Sequence, residues 1–190
     1  TPQYAGEYKI SIEVEPLEGE LITTNNVLTT FVTVLKGGLS VAYFDVWRPE
    51  MGKLAEVGRS PDIQIDRQIV RYRGEAEPTK IQDEWFEPGR YDVYIIGDVP
   101  AKVFGERNLR RLAEAVSQGA GLIMTGGFHS FGAGGYATTP LQDLLPVVMY
   151  PTESLNEDEL DESLQISNPV QMLPTAEGRG DFVMRMGNLG

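Results

Sequence analysis

No cysteine occurs anywhere in the 190 residues. That single absence removes disulfides, thiolate metal sites and cysteine nucleophiles, while leaving the compartment open. Histidine is almost as scarce, since His129 is the only one. Any proton transfer by imidazole, the usual group for that work near neutral pH, must therefore use this residue. Basic residues are in the minority, 16 against 28 acidic, for a formal net charge of −12. A nucleic-acid partner is not expected, because phosphate neutralisation requires a basic face. Long apolar runs are missing too: none approaches the ~20 residues that span a bilayer, and no signal peptide is recognisable. The opening at Thr1 reads as mid-domain sequence, so the chain is expected to be a piece of a longer protein. Missing targeting signals then carry little weight.

What remains is a globular composition, 41% hydrophobic and 23% charged. The length suits one medium domain, or one domain plus a fragment. Residues 7–15 alternate strictly, with Tyr8, Ile10, Ile12 and Val14 on one face and Lys9, Ser11, Glu13 and Glu15 on the other. This period predicts a half-buried antiparallel strand. Asn25-Asn26 marks a bend, and the β-branched stretch 28–35 predicts the second strand of a hairpin. Two strands alone are marginal in water. The hairpin is therefore either packed on the rest of the chain or the end of an immunoglobulin-like sandwich. Lys36-Gly37-Gly38 is the expected boundary, giving a hairpin over 1–36 and a main domain over 37–190.

Within the main domain, 39–46 is too continuously apolar for an exposed sheet and predicts a buried strand. Pro49 suits the first turn of a short helix continued by Met51, Leu54 and Val57. Residues 63–72 predict another strand, and 74–90 a polar connection anchored by Trp85 and Phe86. A strand over 92–97 follows. Leu109, Leu112, Ala113 and Val116 recur at helical spacing over 106–118, with Gly119 as the C-terminal stop. A strand over 121–125 completes a β-α-β-β-α-β run, the signature of a mainly parallel α/β sheet. Residues 140–145 read as a short helix, 147–150 and 181–186 as further strands, and 153–162 as an acidic surface loop without calcium-loop spacing.

Chemistry-bearing residues gather at the strand ends. Asp45 and Asp98 fall at the carboxyl ends of two predicted parallel strands, the edge where α/β sheets bind ligands. An Asp at a strand end more often caps the following turn or helix. Gly126 and Gly127 follow a buried strand, where the backbone either approaches a ligand or simply turns. His129 beside Ser130 is a candidate base and nucleophile, though no orienting acid is identifiable, a candidate ligand contact, or a structural residue; Asp98 is the third catalytic candidate. Two carboxylates and one imidazole are too few for a confident metal site, so no metal is expected. Gly132 to Ala137 satisfies G-x-G-x-x-A, but too late after the strand for dinucleotide binding; a mobile glycine loop is the alternative. Trp47-Arg48-Pro49-Glu50 suggests an anion or partner contact, or plain packing with an exposed ion pair.

The strings YDVYIIGDVPA (91–101), GAGLIMTGGFHSFGAGGY (119–136) and TPLQDLLPV (139–147) resemble the glutamine amidotransferase-like domain family of the class I amidotransferase superfamily. VAYFDVWRPE (41–50) and the opening hairpin fit as well, and the likeness covers roughly 38–150. It implies a flavodoxin-like three-layer sheet, preceded by the last hairpin of an immunoglobulin-like module. It also implies a parent protein that is membrane-anchored or outside the cytoplasm. A working member carries a Gly-x-Cys-x-Gly elbow, with His and Glu near the end of the domain. The matching turn here is Thr125-Gly126-Gly127-Phe128-His129, with Gly127 or Phe128 where the thiol belongs and the sole histidine inside the elbow. Glutaminase activity is therefore not expected. The leading expectation is a degenerate module that binds a small ligand or protein partner, without a cofactor, through Asp45, Asp98, Gly126, Gly127, Phe128 and His129. The alternatives are a hydrolase or other enzyme using His129 and Ser130 with a strand-end Asp, Asp45 or Asp98, and a purely structural domain whose crevice is filled by loop 128–137.

Overall fold

A computed structural model describes residues 6–20, 23–34, 37–49, 51–74, 79–156 and 159–164, together with 166, 168, 169, 171, 173 and 175–180. The chain divides into two compact units, Thr1–Asp158 and Glu159–Gly190. In the second, the described residues form short 3₁₀ turns at Glu162–Leu164 and Gly178–Gly180. The predicted strand over 181–186 lies outside the described residues. The rest concerns the first unit.

Strand β1 (Gly6–Glu13) pairs with β2 (Val27–Val34) as an antiparallel hairpin. Its register sets Tyr8 opposite Val32, Ile10 opposite Thr30 and Ile12 opposite Leu28, so one face is apolar as the alternation predicts. That face is not half-buried, however. Ile10, Ile12, Leu28 and Val32 are all exposed, Leu28 by 70%. Alternation reports which side chains share a face; it does not supply a layer to cover them.

The second sheet is parallel and has four strands: β3 (Leu39–Asp45), β4 (Ile63–Ile69), β5 (Val93–Ile96) and β6 (Gly121–Met124). Spatial order is β4-β3-β5-β6. The chain works outward from β3 to one edge, then returns to β5 and continues to the other, so the connection order reverses between β3 and β5. Such a reversal opens a crevice at the carboxyl ends of the strands. Helix α1 (Met51–Val57) links β3 to β4, and α2 (Ala101–Ser117) links β5 to β6.

Alternate side chains of the central strands enter two separate cores. Val41, Tyr43 and Ile95 pack with Met51 and Leu54 of α1. Ala42, Phe44, Tyr94 and Ile96 pack with Phe104, Leu109 and Leu112 of α2. Phe44 is the centre of the larger core, stacked on Phe86 at 5.6 Å and edge-on to Phe104 at 5.3 Å. Burying a side chain of this size stabilises the fold by about 1.5–3 kcal/mol. Gly105 (φ 74, ψ 155) interrupts α2, so the regular helix begins where periodicity puts it, at 106. Residues 140–145 form turns rather than a helix, and 147–150 form no strand. Val147 and Val148 have the β-branched composition of a strand but are exposed and pair with no strand among the described residues.

Candidate functional site

The parallel register brings the ends of β3, β5 and β6 level, with Phe44 beside Ile96 and Ile96 beside Met124. Asp45 therefore emerges next to Gly97 and Asp98, and Thr125 lies one strand further on. Asp45 is fully buried. Its Oδ1 accepts from the backbone N–H groups of Val46 and Asp98, both at 2.9 Å. Its Oδ2 accepts from the Tyr43 hydroxyl and from Arg48 Nε at 2.7 Å. Four donors on one carboxylate are what burial of a charge demands.

Arg48 extends this network across the sheet. It donates to Thr125 Oγ1 at 2.8 Å and to the Gly126 carbonyl at 3.2 Å, tying the end of β3 to the turn after β6. Of the readings open for Trp47-Arg48, the ion pair is present at Arg48, but it is a tether to a buried carboxylate. Trp47 is 75% exposed. Burial and the adjoining Asp45 carboxylate push the Tyr43 phenol well above its ordinary value, because both disfavour the phenolate. Gly97 is required by this packing: a Cβ there would meet the Asp45 carboxyl carbon at 2.0 Å.

Asp98 is buried at the next position and accepts the backbone N–H of His129 on Oδ1. Gly127 lies against the same carboxyl group, which a Cβ would approach to 2.5 Å. Gly127 thus makes room for a side chain of the chain itself. Gly126 and Phe128 stand at the rim, Phe128 being 43% exposed.

His129 is completely buried, edge-on to Tyr72 at 5.8 Å. Its Nδ1 meets Arg73 Nη2 at 3.0 Å and its Nε2 meets the Asn156 carbonyl at 3.1 Å. An arginine only donates and a carbonyl only accepts. Nδ1 is thereby the acceptor and Nε2 carries the proton, so both ring nitrogens are committed. The Ser130 hydroxyl points elsewhere, toward the carbonyls of Thr125 (3.0 Å) and Gly97 (3.2 Å). The structure brings Asp98 to the backbone of His129, but it does not join the imidazole to Ser130 Oγ or to either carboxylate through any of these bonds. Among the described residues no cluster of three His, Asp or Glu side chains could hold a metal ion.

Loop 128–137 is pinned over this corner, not held away from it as a free glycine loop would be. The Gly134 carbonyl accepts from Ala101 N–H at the start of α2 (2.8 Å), Ala133 O from Leu155 N–H (3.0 Å), and Val99 O from the buried Tyr136 hydroxyl (2.7 Å). Phe131 holds a left-handed conformation (φ 53), at a cost of about 1 kcal/mol that these contacts offset. The glycines of the G-x-G-x-x-A string therefore serve close packing within the chain. In the acidic stretch, Glu153 is half-buried and accepts Tyr150 N–H at 3.0 Å. Asp161 lies at the surface with its carboxyl lowered by hydrogen bonds from Ser163.

Sequence reasoning singled out Asp45, Asp98 and His129 but missed their partners Tyr43, Tyr72, Arg73 and Asn156. Tyr43 had a signal, lying two residues before Asp45 on the same strand face. Arg73 and Asn156 approach His129 from 56 and 27 residues away, and no local pattern announces them. Compared with protein-family models, with curated proteins and with solved structures, the chain gives no match.

Proposed function

We propose that this chain is a non-catalytic glutamine amidotransferase-like module that binds a ligand or partner within a larger protein. The observation that carries this reading is the state of the elbow. Its one histidine spends both ring nitrogens on Arg73 and Asn156, beside a turn that has Gly127 and Phe128 in the nucleophile's place. A general base needs one nitrogen directed at its substrate or nucleophile. A flavodoxin-like three-layer arrangement is supported by the order β4-β3-β5-β6 and by a helix packed on each face. An immunoglobulin-like origin for the hairpin is supported by its exposed apolar face, the kind of surface a second sheet covers.

Ammonia release from glutamine tests the reading directly. The purified chain is expected to give no release above a buffer blank, and His129→Ala is expected to leave that blank unchanged. Robust turnover lost in the variant would overturn it. The pinned loop 128–137 favours one second reading, a purely structural domain. In that case no small molecule would raise the thermal midpoint.

A further inference from the structure

Three chain segments converge on one open cavity of ≈ 240 Å³ at the carboxyl ends of the strands. Val46 comes from the end of β3, Val70 to Arg73 from the continuation of β4, and Asp98 from the turn after β5. This is the crevice that the reversal between β3 and β5 creates. Val70 and Tyr72 are buried in the larger core, and with half-buried Val46 they supply the apolar surface. Arg71 and Arg73 are exposed and supply two guanidinium groups.

Two cations at one cavity run against the composition of a chain with net charge −12. One is anchored by its backbone and the other by its side chain. The Arg71 backbone is clamped on both sides by Thr79, through N–H to Oγ1 at 2.9 Å and carbonyl to N–H at 2.7 Å. Its guanidinium makes no hydrogen bond or ion pair among the described residues. Arg73 is oriented by its bond to His129 Nδ1. The histidine of the elbow then acts as a support for a cation at the crevice.

We propose that this crevice binds a small organic anion or phosphate, with Arg71 and Arg73 on the charged group and Val46, Val70 and Tyr72 against its carbon body. Guanidinium forks match carboxylate and phosphate geometry, and charge-assisted bonds of this kind are the strong ones. The assignment rests on the reading of this corner as a ligand-binding module.

Amide chemical shifts of the full chain, titrated with inorganic phosphate and with succinate at constant ionic strength, test it. Saturable shifts are expected at Val46, 70–73 and Asp98. Arg71→Ala is expected to weaken the affinity about tenfold or more, the loss of one charge-assisted contact. Arg67→Ala, an exposed arginine that does not line this cavity, is expected to leave it unchanged. Equal affinity in Arg71→Ala, or shifts elsewhere on the surface, would overturn the assignment. Saturation at these amides by neutral acetamide or glycerol, with none by the two anions, would overturn the anion and leave a ligand module standing. No saturation by any of the four would overturn the anion assignment, and with it the small-ligand form of the module reading.

Discussion

The two sheets of the first unit have similar β-rich compositions and opposite fates. In the parallel sheet, Val41 to Asp45 are buried without exception, because both faces of β3 are covered by helices and connecting segments. In the hairpin, every residue of β1 except Tyr8 is exposed, and β2 is exposed up to its last residue. Both carry ladder hydrogen bonds, so backbone pairing does not distinguish them. The difference lies in what each face meets. Hydrogen bonds exchanged with water contribute little net stability, whereas removal of apolar area from water drives folding. The parallel sheet is therefore expected to hold nearly all the stability of this unit, and the hairpin to be close to a passenger.

The largest expected effect lies at the densest point of that contrast. Gly97→Ala would place a methyl group where the Asp45 carboxylate sits. The carboxylate would have to leave four donors, among them Arg48 and the Asp98 backbone. Breaking a buried ion pair in this way costs about 3–5 kcal/mol. Urea denaturation followed by tryptophan fluorescence should show a loss of that order. A loss below about 1 kcal/mol would mean that the strand-end network is slack, and the contrast between the sheets would blur.

How much of this was legible beforehand follows the range of the interactions involved. The β-α-β-β-α-β run could be read because each element depends on its own spacing: the continuous apolar stretch of β3, the helical recurrence of Leu109, Leu112 and Val116. The apolar face of β1 could be read from strict alternation, but neither its cross-strand register nor its exposure could, since both depend on what lies opposite. At the site, Asp45 and Asp98 were found because the ends of parallel strands are a predictable place. Arg73 and Asn156 were not, because their meeting at His129 is a tertiary event. Residues 147–150 misled because β-branched composition measures fit to a pleated surface, and Val147 and Val148 lie exposed instead of paired.

A smaller effect should appear at alkaline pH, again confined to the parallel sheet. Burial raises the phenols of Tyr43, Tyr94 and Tyr136, and Asp45 adds to it at Tyr43. Below about pH 10 the folded and unfolded chains both keep these protons, and no stability difference arises. Above it the unfolded chain releases them while the folded chain holds them. The unfolded state then binds fewer protons, so stability falls as pH rises, by about 1.4 kcal/mol per pH unit for each such tyrosine. Tyr43→Phe should lower stability by about 1 kcal/mol at neutral pH, the hydrogen bond to Asp45 being lost. It should also make the alkaline decline shallower by one proton's slope. An unchanged slope would remove Tyr43 from the account.

The smallest effect is the one that most directly probes the hairpin. Ile12 is 62% exposed and Leu28, its cross-strand partner, 70%. Ile12→Ser removes apolar surface that is already wet, so unfolding of the parallel sheet should shift by no more than about 0.5 kcal/mol. Hydrogen exchange gives the same question a second readout. Amides of 7–13 and 27–34 should exchange far faster than those of 41–44 and 93–96, because opening the hairpin uncovers little apolar area. A shift of about 2 kcal/mol or more in Ile12→Ser, or equal protection in the two sheets, would show that the apolar face of the hairpin is covered in solution. The hairpin would then be a working part of the fold, and Tyr8, Ile10, Ile12 and Val32 would mark the surface to map.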